Sequence, residues 1–101
     1  MDLPSSLVGV IGCGLMGAGI AQSLAVAGAG RVICVDQSNE ALTKASVQIT
    51  DGRYGLQAAV AREKISQAVA DRALASISFT TDRASTAEAN LIIEAVDEDL
   101  G

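Results

Sequence analysis

Short apolar segments alternate along this chain with longer stretches in which apolar residues recur at helical spacing. Four segments rich in Val, Ile and Leu are typical of β-strands, and continuous apolar runs of this kind favour strands buried on both faces of a parallel sheet. The predicted strands are residues 7–11, 31–35, 77–80 and 91–96. Each is followed by glycine or polar residues, so four separate strands are expected.

The segments between the strands show the apolar spacing of helices. These positions are Ile20, Leu24 and Ala27 within residues 18–27, then Leu42, Ala45 and Ile49, and then Val69, Ala73 and Leu74. Ser38 and Ser66 are good N-caps, and Gly52 and Gly55 predict a break near residues 51–55. Residues 82–89 are predicted to form a short helical connector.

Strands alternating with helices predict an α/β fold. With right-handed crossovers, the expected architecture is a Rossmann-type doubly wound parallel sheet. Its four strands would lie in the order 3-2-1-4, with helices on both faces.

Composition excludes several functions. The 101 residues include no His, 12 Asp and Glu, and 7 Lys and Arg, for a net charge of −5. Imidazole-based catalysis and His-ligated metal sites are therefore excluded, and nucleic acid is not an expected partner. Residues 3–30 carry no charge, but their glycines argue against a membrane span. Two cysteines without a C-x-x-C pattern fit a reducing, cytoplasmic setting.

A glycine-rich segment follows the first strand directly. Gly12, Gly14 and Gly17 form a G-x-G-x-x-G pattern between a strand and a helix. The first glycine allows a tight turn, the second lets the backbone approach a pyrophosphate, and the third allows close packing of helix on strand. The helix N-terminus then offers N–H groups to the phosphates. The context predicts a dinucleotide site; the alternative is a glycine-rich turn that binds nothing.

Asp36 ends the second strand, 19 positions after Gly17, close to the roughly 20 expected for an acid that binds the adenosine ribose. A carboxylate there accepts hydrogen bonds from ribose hydroxyls and repels a 2′-phosphate. Residues 37–39 include no arginine to offset that repulsion. NAD is therefore favoured over NADP; the alternative for Asp36 is a solvated turn residue.

Among four further side chains, Glu98 and Cys13 have two interpretations each, and Met16 and Cys34 have a structural one. Glu98 follows the fourth strand and either reaches the nicotinamide half of the cofactor or lies in a solvent-facing loop. Cys13 is either a thiol with a lowered pKa at a helix N-terminus or simply a small residue in a tight loop. Met16 is expected to pack under the first helix, and Cys34 to be buried in its strand.

The chain also resembles a known family. Residues 8–22, Val-Gly-Val-Ile-Gly-Cys-Gly-Leu-Met-Gly-Ala-Gly-Ile-Ala-Gln, resemble the start of the 3-hydroxyacyl-CoA dehydrogenases, including the 3-hydroxybutyryl-CoA dehydrogenases. Residues 35–36, 64–66, 77–82 and 93–98 match further family segments in the family's order. The resemblance covers nearly the whole chain and is far more specific than three glycines.

The resemblance implies NAD-dependent oxidation of a 3-hydroxyacyl-CoA thioester to the 3-ketoacyl-CoA, as in fatty-acid β-oxidation. It implies no catalytic residue and no metal ligand within this chain. The cofactor-binding residues that it implies are Gly12, Cys13, Gly14, Leu15, Met16, Gly17, Asp36, Gln37, Ala95, Val96 and Glu98.

The family's catalytic His, its Glu partner and its helical dimerisation domain correspond to positions beyond residue 101. We therefore expect residues 1–101 to be the N-terminal part of an NAD-binding domain, inactive alone, with acyl-CoA bound only by an intact, dimeric protein. In the family the CoA site includes the stretch that corresponds to residues 52–59, where Arg53 is the only basic residue. Two alternatives are a non-catalytic dinucleotide-binding module and the cofactor domain of another hydroxy-acid dehydrogenase.

Overall fold

The structure, a computed structural model, describes residues 2–95. The strands are β1 (Leu7–Ile11), β2 (Arg31–Val35), β3 (Ile77–Thr80) and β4 (Leu91–Glu94). The helices are α1 (Leu15–Ala27), α2 (Asn39–Asp51), α3 (Leu56–Ala61) and α4 (Gln67–Ser76), and two 3-10 helices span Leu3–Ser5 and Arg83–Thr86.

The four strands form one parallel sheet in the order β3-β2-β1-β4. In the register of the central strand, Val8 lies beside Val32 of β2 and Leu91 of β4. This arrangement confirms the predicted α/β fold and strand order. The carboxyl ends of β1, β2 and β4 therefore meet at one edge of the sheet, where parallel α/β sheets bind ligands.

The two faces of the sheet are covered differently. On one, which we call the helix face, Val8, Val10, Val32 and Cys34 pack against α1 and its neighbours, all within the larger core. The second face carries a smaller cluster of three buried residues, Ile11, Ile33 and Val35. On this second face the 3-10 helix Arg83–Thr86 contacts β1 and β2.

Three boundaries differ from those predicted. Helix α1 begins at Leu15 rather than residue 18, because Gly14 is its N-cap and accepts the first helical hydrogen bond from Ala18 N at 2.9 Å. The connector at 82–89 is a 3-10 helix of four residues, capped by the Asp82 side chain, which accepts from Ala84 N. Strand β4 ends at Glu94 rather than at 96.

The segment between β2 and β3 follows the predicted pattern except for one helix. Ser38 and Ser66 cap α2 and α4, and the predicted break separates α2 from α3. Helix α3 itself was not predicted. It ends with Glu63 in the left-handed region at φ 59°, and Lys64 N donates to Ala59 O at 2.9 Å. This is the usual hydrogen bonding of a Schellman end, with glutamate at a position that glycine favours.

Met16 does not pack under α1, because 61% of its surface is exposed. Cys34 is buried in β2 as expected. Within the described part of the chain, every helix is too short or too polar to cross a bilayer.

Candidate functional site

The turn that leaves β1 and the start of α1 are in direct backbone contact. Gly12 adopts φ 95°, a conformation that favours glycine, and its N–H donates to Val35 O at 2.8 Å. A Cβ added to Gly17 would lie 1.8 Å from Gly12 O. A side chain at Gly17 would therefore separate the loop from the helix.

The N-terminus of α1 presents backbone donors to the space above the loop. Gly14 has no side chain with which to cap the helix. Within residues 2–95, the N–H groups of Gly14, Leu15 and Met16 have no protein acceptor. The side chains of Leu15 and Met16 are mostly exposed, so these residues can contribute to the site through their N–H groups. Free donors at the positive end of a helix of 13 residues suit an anion such as a pyrophosphate.

Asp36 links this loop to the end of β2. Its Oδ2 accepts from Cys13 N at 2.9 Å, and its Oδ1 accepts from Ser38 N at 3.0 Å. Because an ionised carboxylate offers about four lone-pair sites, Asp36 retains capacity for ribose hydroxyls. Asp36 therefore lies at the end of β2 beside the glycine loop and holds that loop through Cys13 N.

Beside the loop lies a cleft of about 350 Å³, on the second face of the sheet. Its lining residues are Ile11, Gly12, Val35, Asp36, Gln37 and Arg83. The first five come from the ends of β1 and β2, and three of them, Gly12, Asp36 and Gln37, are candidates from the sequence. Arg83 comes from the 3-10 helix before β4, and its guanidinium pairs with Glu94 at 3.0 Å. Sequence reasoning considered arginine only at residues 37–39 and missed it, because no local pattern places residue 83 beside Asp36.

The end of β4 completes this edge of the sheet. Ala95 N donates to Ile11 O at 2.8 Å, and the Ala95 Cβ lies 3.6 Å from the Cβ position of Gly17. Ala95 is thus beside the glycine loop, where the sequence predicts it. Val96 and Glu98, the other two candidates from this segment, lie outside the described residues.

The two cysteines are neighbours inside the helix-face core. A side-chain hydrogen bond with Cys34 lowers the pKa of Cys13, and the same interaction together with burial raises the pKa of Cys34. Only 2% of the surface of Cys13 is exposed, and its Sγ lies 3.6 Å from Val35 O. The geometry favours the interpretation of Cys13 as a small residue that fits a tight loop, because reagents in solvent do not reach its sulfur.

A second, basic groove of about 460 Å³ lies between α1 and the segment around α3. Tyr54, Arg62 and Lys64 line it. The guanidinium groups of Arg53 and Arg62 lie 5.5 and 5.6 Å from the centre of the Tyr54 ring. Sequence reasoning assigned only Arg53 to this region; the end of α3 brings two more cations to it.

Comparison with known proteins identifies relatives along nearly the whole chain. The family model described as "3-hydroxyacyl-CoA dehydrogenase, NAD binding domain" matches residues 7–101. A 3-hydroxybutyryl-CoA dehydrogenase of Mycobacterium tuberculosis is 42% identical over 96 residues, which are 91% of this chain and 31% of that protein. The mitochondrial hydroxyacyl-coenzyme A dehydrogenase of Rattus norvegicus is 38% identical over 96 residues, 92% of this chain and 30% of the relative.

Solved structures give the same result. The (S)-3-hydroxybutyryl-CoA dehydrogenase of Ralstonia eutropha superposes with a TM-score of 0.83 at 34% identity, covering 94% of this chain and 32% of that one. The 3-hydroxybutyryl-CoA dehydrogenase of Escherichia coli K12 gives a TM-score of 0.84 at 38% identity, covering 99% of this chain and 20% of that one. The chain therefore spans about a third or less of the length of these relatives.

Proposed function

The chain belongs to the 3-hydroxyacyl-CoA dehydrogenase family, as its NAD-binding domain, and from this premise we propose that the whole protein oxidises 3-hydroxyacyl-CoA thioesters to 3-ketoacyl-CoA. The observation that carries the proposal is the glycine loop held against α1 by Gly17 and against β2 by Asp36. Bound NAD supplies the hydride acceptor for such an oxidation. A role in fatty-acid β-oxidation is part of the same proposal.

In this proposal the two halves of NAD are held by different groups. The backbone from Gly12 to Gly17 and the free N–H groups of α1 bind the pyrophosphate, and Asp36 accepts from the adenosine ribose. Gln37 lines the cleft beside it. Ala95, Val96 and Glu98 would approach the nicotinamide half from the end of β4. These residues bind and orient the cofactor, and none of them is proposed as the base.

The basic groove supports the acyl-CoA part of the proposal. The CoA moiety carries several phosphate charges, and Arg62 and Lys64 bring two cations to one groove in a chain whose net charge is −5. The guanidinium of Arg53 adds a third cation near Tyr54, 5.5 Å from the centre of its ring. The Tyr54 ring, which lies within about 6 Å of two guanidinium groups and is mostly exposed, offers an apolar surface to the ligand. We assign this groove to the CoA moiety of the substrate in the intact protein.

The remaining elements of the proposal concern the whole protein. We propose that residues 1–101 are the N-terminal part of the cofactor domain, and that the base and the dimer contacts come from a C-terminal helical domain. The absence of His from residues 1–101 supports the expectation that these residues alone are inactive. A cytoplasmic location completes the proposal, since two cysteines without a disulfide pattern suit a reducing compartment.

The first test is calorimetric titration of the 101-residue chain with NAD and NADP. We expect NAD to bind more tightly than NADP, and Asp36→Ala to weaken NAD binding by about tenfold or more, because a charged hydrogen bond contributes about 1.5–3 kcal/mol. Asp71→Ala is the matched control, since Asp71 is an exposed residue of α4 that only accepts from Gln67. Equal weakening by both substitutions would contradict the assignment of Asp36.

The second test measures NADH formation by the whole protein with a 3-hydroxyacyl-CoA substrate. We expect turnover in the whole protein and none in residues 1–101. Lys64→Ala should raise the KM for the acyl-CoA and leave the Kd for NAD unchanged, because Lys64 lies in the groove and not in the cleft. NAD binding without turnover of any hydroxyacyl-CoA by the whole protein would favour the non-catalytic alternative.

A further inference from the structure

We propose that Arg83, oriented by Glu94, binds the adenine ring of the cofactor by stacking its planar guanidinium on the ring face. The proposal rests on the assignment of the cleft to the adenosine half of NAD. Arg83 is a wall of that cleft although it lies 47 positions after Asp36 in the chain. The cleft walls are otherwise formed by aliphatic, glycine, carboxylate and amide groups.

An adenine ring in this cleft would require a planar group to stack on, and the other lining residues do not provide one. Tyr54 and Phe79 are the only aromatic residues of the chain, and neither lines the cleft. Ile11 and Val35 can support one side of the ring, since both belong to the buried cluster on the second face. A guanidinium stacks on aromatic faces and is more weakly hydrated than an ammonium group. Arg83 is therefore the group in the cleft with the chemistry to cover the exposed face of adenine.

The backbone that carries Arg83 is well anchored. Thr86, which is 3% exposed, donates from its hydroxyl to Arg83 O at 2.8 Å. Thr86 also sits directly over Gly9 of β1, where an added Cβ would lie 2.8 Å from Thr86 Cγ2. The Asp82 side chain caps the same turn from its other end. The 3-10 helix thus packs on the sheet, and these contacts fix the position of the Arg83 backbone relative to β1.

Glu94 orients the side chain and neutralises its charge. The pair Arg83 Nη2–Glu94 Oε1 is 3.0 Å long, and Glu94 lies beside Ile11 in the register of β1 and β4. Glu94 is therefore a positioning residue whose backbone is fixed by the pairing of β4 with β1. Because its carboxylate balances the guanidinium, Arg83 does not create an anion site for a 2′-phosphate next to Asp36.

The test is calorimetric titration of the 101-residue chain with NAD, ADP-ribose and nicotinamide mononucleotide. We expect Arg83→Met to weaken NAD and ADP-ribose binding by about five- to tenfold, in line with about 1–1.4 kcal/mol for a partly desolvated cation–π contact. Nicotinamide mononucleotide, which has no adenine, should be unaffected. Arg31→Met is the matched control, since Arg31 lies at the start of β2, at the opposite edge of the sheet.

Two more variants separate stacking from charge. Arg83→Lys should bind NAD as weakly as Arg83→Met, because an ammonium keeps the charge and lacks the plane. Glu94→Gln should weaken NAD by about two- to threefold and raise the affinity for NADP, because the guanidinium loses its partner and can engage the 2′-phosphate. Circular dichroism verifies that each variant is folded, as expected for two exposed side chains.

Failure of the stacking role of Arg83 and failure of the proposed cofactor site give different results. Absence of NAD binding by the unaltered chain would overturn the proposed cofactor site itself. If Arg83→Met changed the affinity for NAD by less than twofold, the stacking role of Arg83 would be overturned and the cofactor site would stay intact. The same conclusion would follow if Arg83→Lys bound NAD as tightly as the unaltered chain. If Arg83→Met weakened the binding of nicotinamide mononucleotide as much as that of NAD, the stacking role of Arg83 would also be overturned.

Discussion

The proposed cofactor site has two halves, a phosphate half and an adenosine half, and they are built in different ways. The phosphate half consists of backbone: Gly12 in the left-handed region, Gly17 pressed against its carbonyl oxygen, and the free N–H groups of α1. The adenosine half consists of side chains, Asp36 and Arg83 among them, that are partly or mostly exposed. The first half has almost no freedom to adjust, whereas the second can change residue by residue.

This difference predicts where each half tolerates substitution. A backbone site accepts substitutions only if the new side chain leaves the chain path unaltered, and close packing leaves little space for adjustment. A side-chain site accepts substitutions at the cost of single contacts, each of about 0.5–3 kcal/mol.

Gly17→Ala should have the largest effect. Its Cβ would meet Gly12 O at 1.8 Å, so the loop must move away from α1. We expect NAD affinity to fall by at least about 100-fold, the equivalent of about 2.7 kcal/mol. Gly19→Ala is the matched control, because it lies in the same helix and its Cβ would meet nothing within 4 Å. That variant should bind NAD normally and unfold at a higher temperature, since alanine favours helix over glycine by about 1 kcal/mol.

Asp36→Asn should have an intermediate effect on both halves, because Asp36 bonds to Cys13 N and to Ser38 N. An amide offers one acceptor oxygen where the carboxylate offers two, so one N–H loses its partner. We expect NAD affinity to fall by about tenfold and the free energy of unfolding to fall by about 1–2 kcal/mol. Urea denaturation and calorimetry measure the two changes. A loss of affinity with unchanged stability would show that Asp36 does not hold the glycine loop.

Gly9→Ala should affect only the adenosine half, and it should lower the affinity for NAD less than Asp36→Asn does. The new Cβ would meet Thr86 Cγ2 at 2.8 Å and displace the turn that carries Arg83. We expect NAD affinity to fall by about threefold and stability by about 1–2 kcal/mol, as for a small overpacked site. Adding Thr86→Ser removes Cγ2 and keeps the hydroxyl that donates to Arg83 O. Failure of this second change to restore affinity would contradict the role of the turn as a support for Arg83.

Ser38→Ala should have the smallest effect on binding. The Ser38 hydroxyl accepts from Ala41 N and caps α2, and its own N–H to Asp36 survives the substitution. We expect thermal unfolding to show a loss of about 1 kcal/mol, with NAD affinity within twofold. Ser66→Ala, which removes the cap of α4 through the same kind of bond to Val69 N, should give the same loss. If Ser38→Ala lowered the affinity for NAD by much more than twofold, the two halves would be coupled through α2.

The same contrast separates what the sequence predicts from what it does not. The glycine loop and the position of Asp36 follow from local patterns, because each depends on residues close together in the chain. The strand order follows from general topology rules applied to the predicted elements, since β1 and β4 pair across 83 positions. Helix α3 was missed because its six residues lie between two breaks, with no periodicity long enough to detect. The neighbourhood of Arg83 depends on how a 3-10 helix sits over Gly9, and Met16 is exposed because α1 begins three residues earlier than expected. Such facts follow from tertiary packing rather than from local spacing.

The parallel pairing of β1 with β4 has a consequence for folding during synthesis. Val8 and Leu91 are neighbours in the sheet but 83 positions apart in the chain. At about 5–20 residues per second, a ribosome needs roughly 4–17 s to make the residues between them. Until β4 has been made, the edge of β1 that pairs with β4 in the folded sheet lacks that partner strand and is open to other chains. A chaperone that shields this edge of the nascent chain should therefore raise the yield of folded protein more than slower translation would.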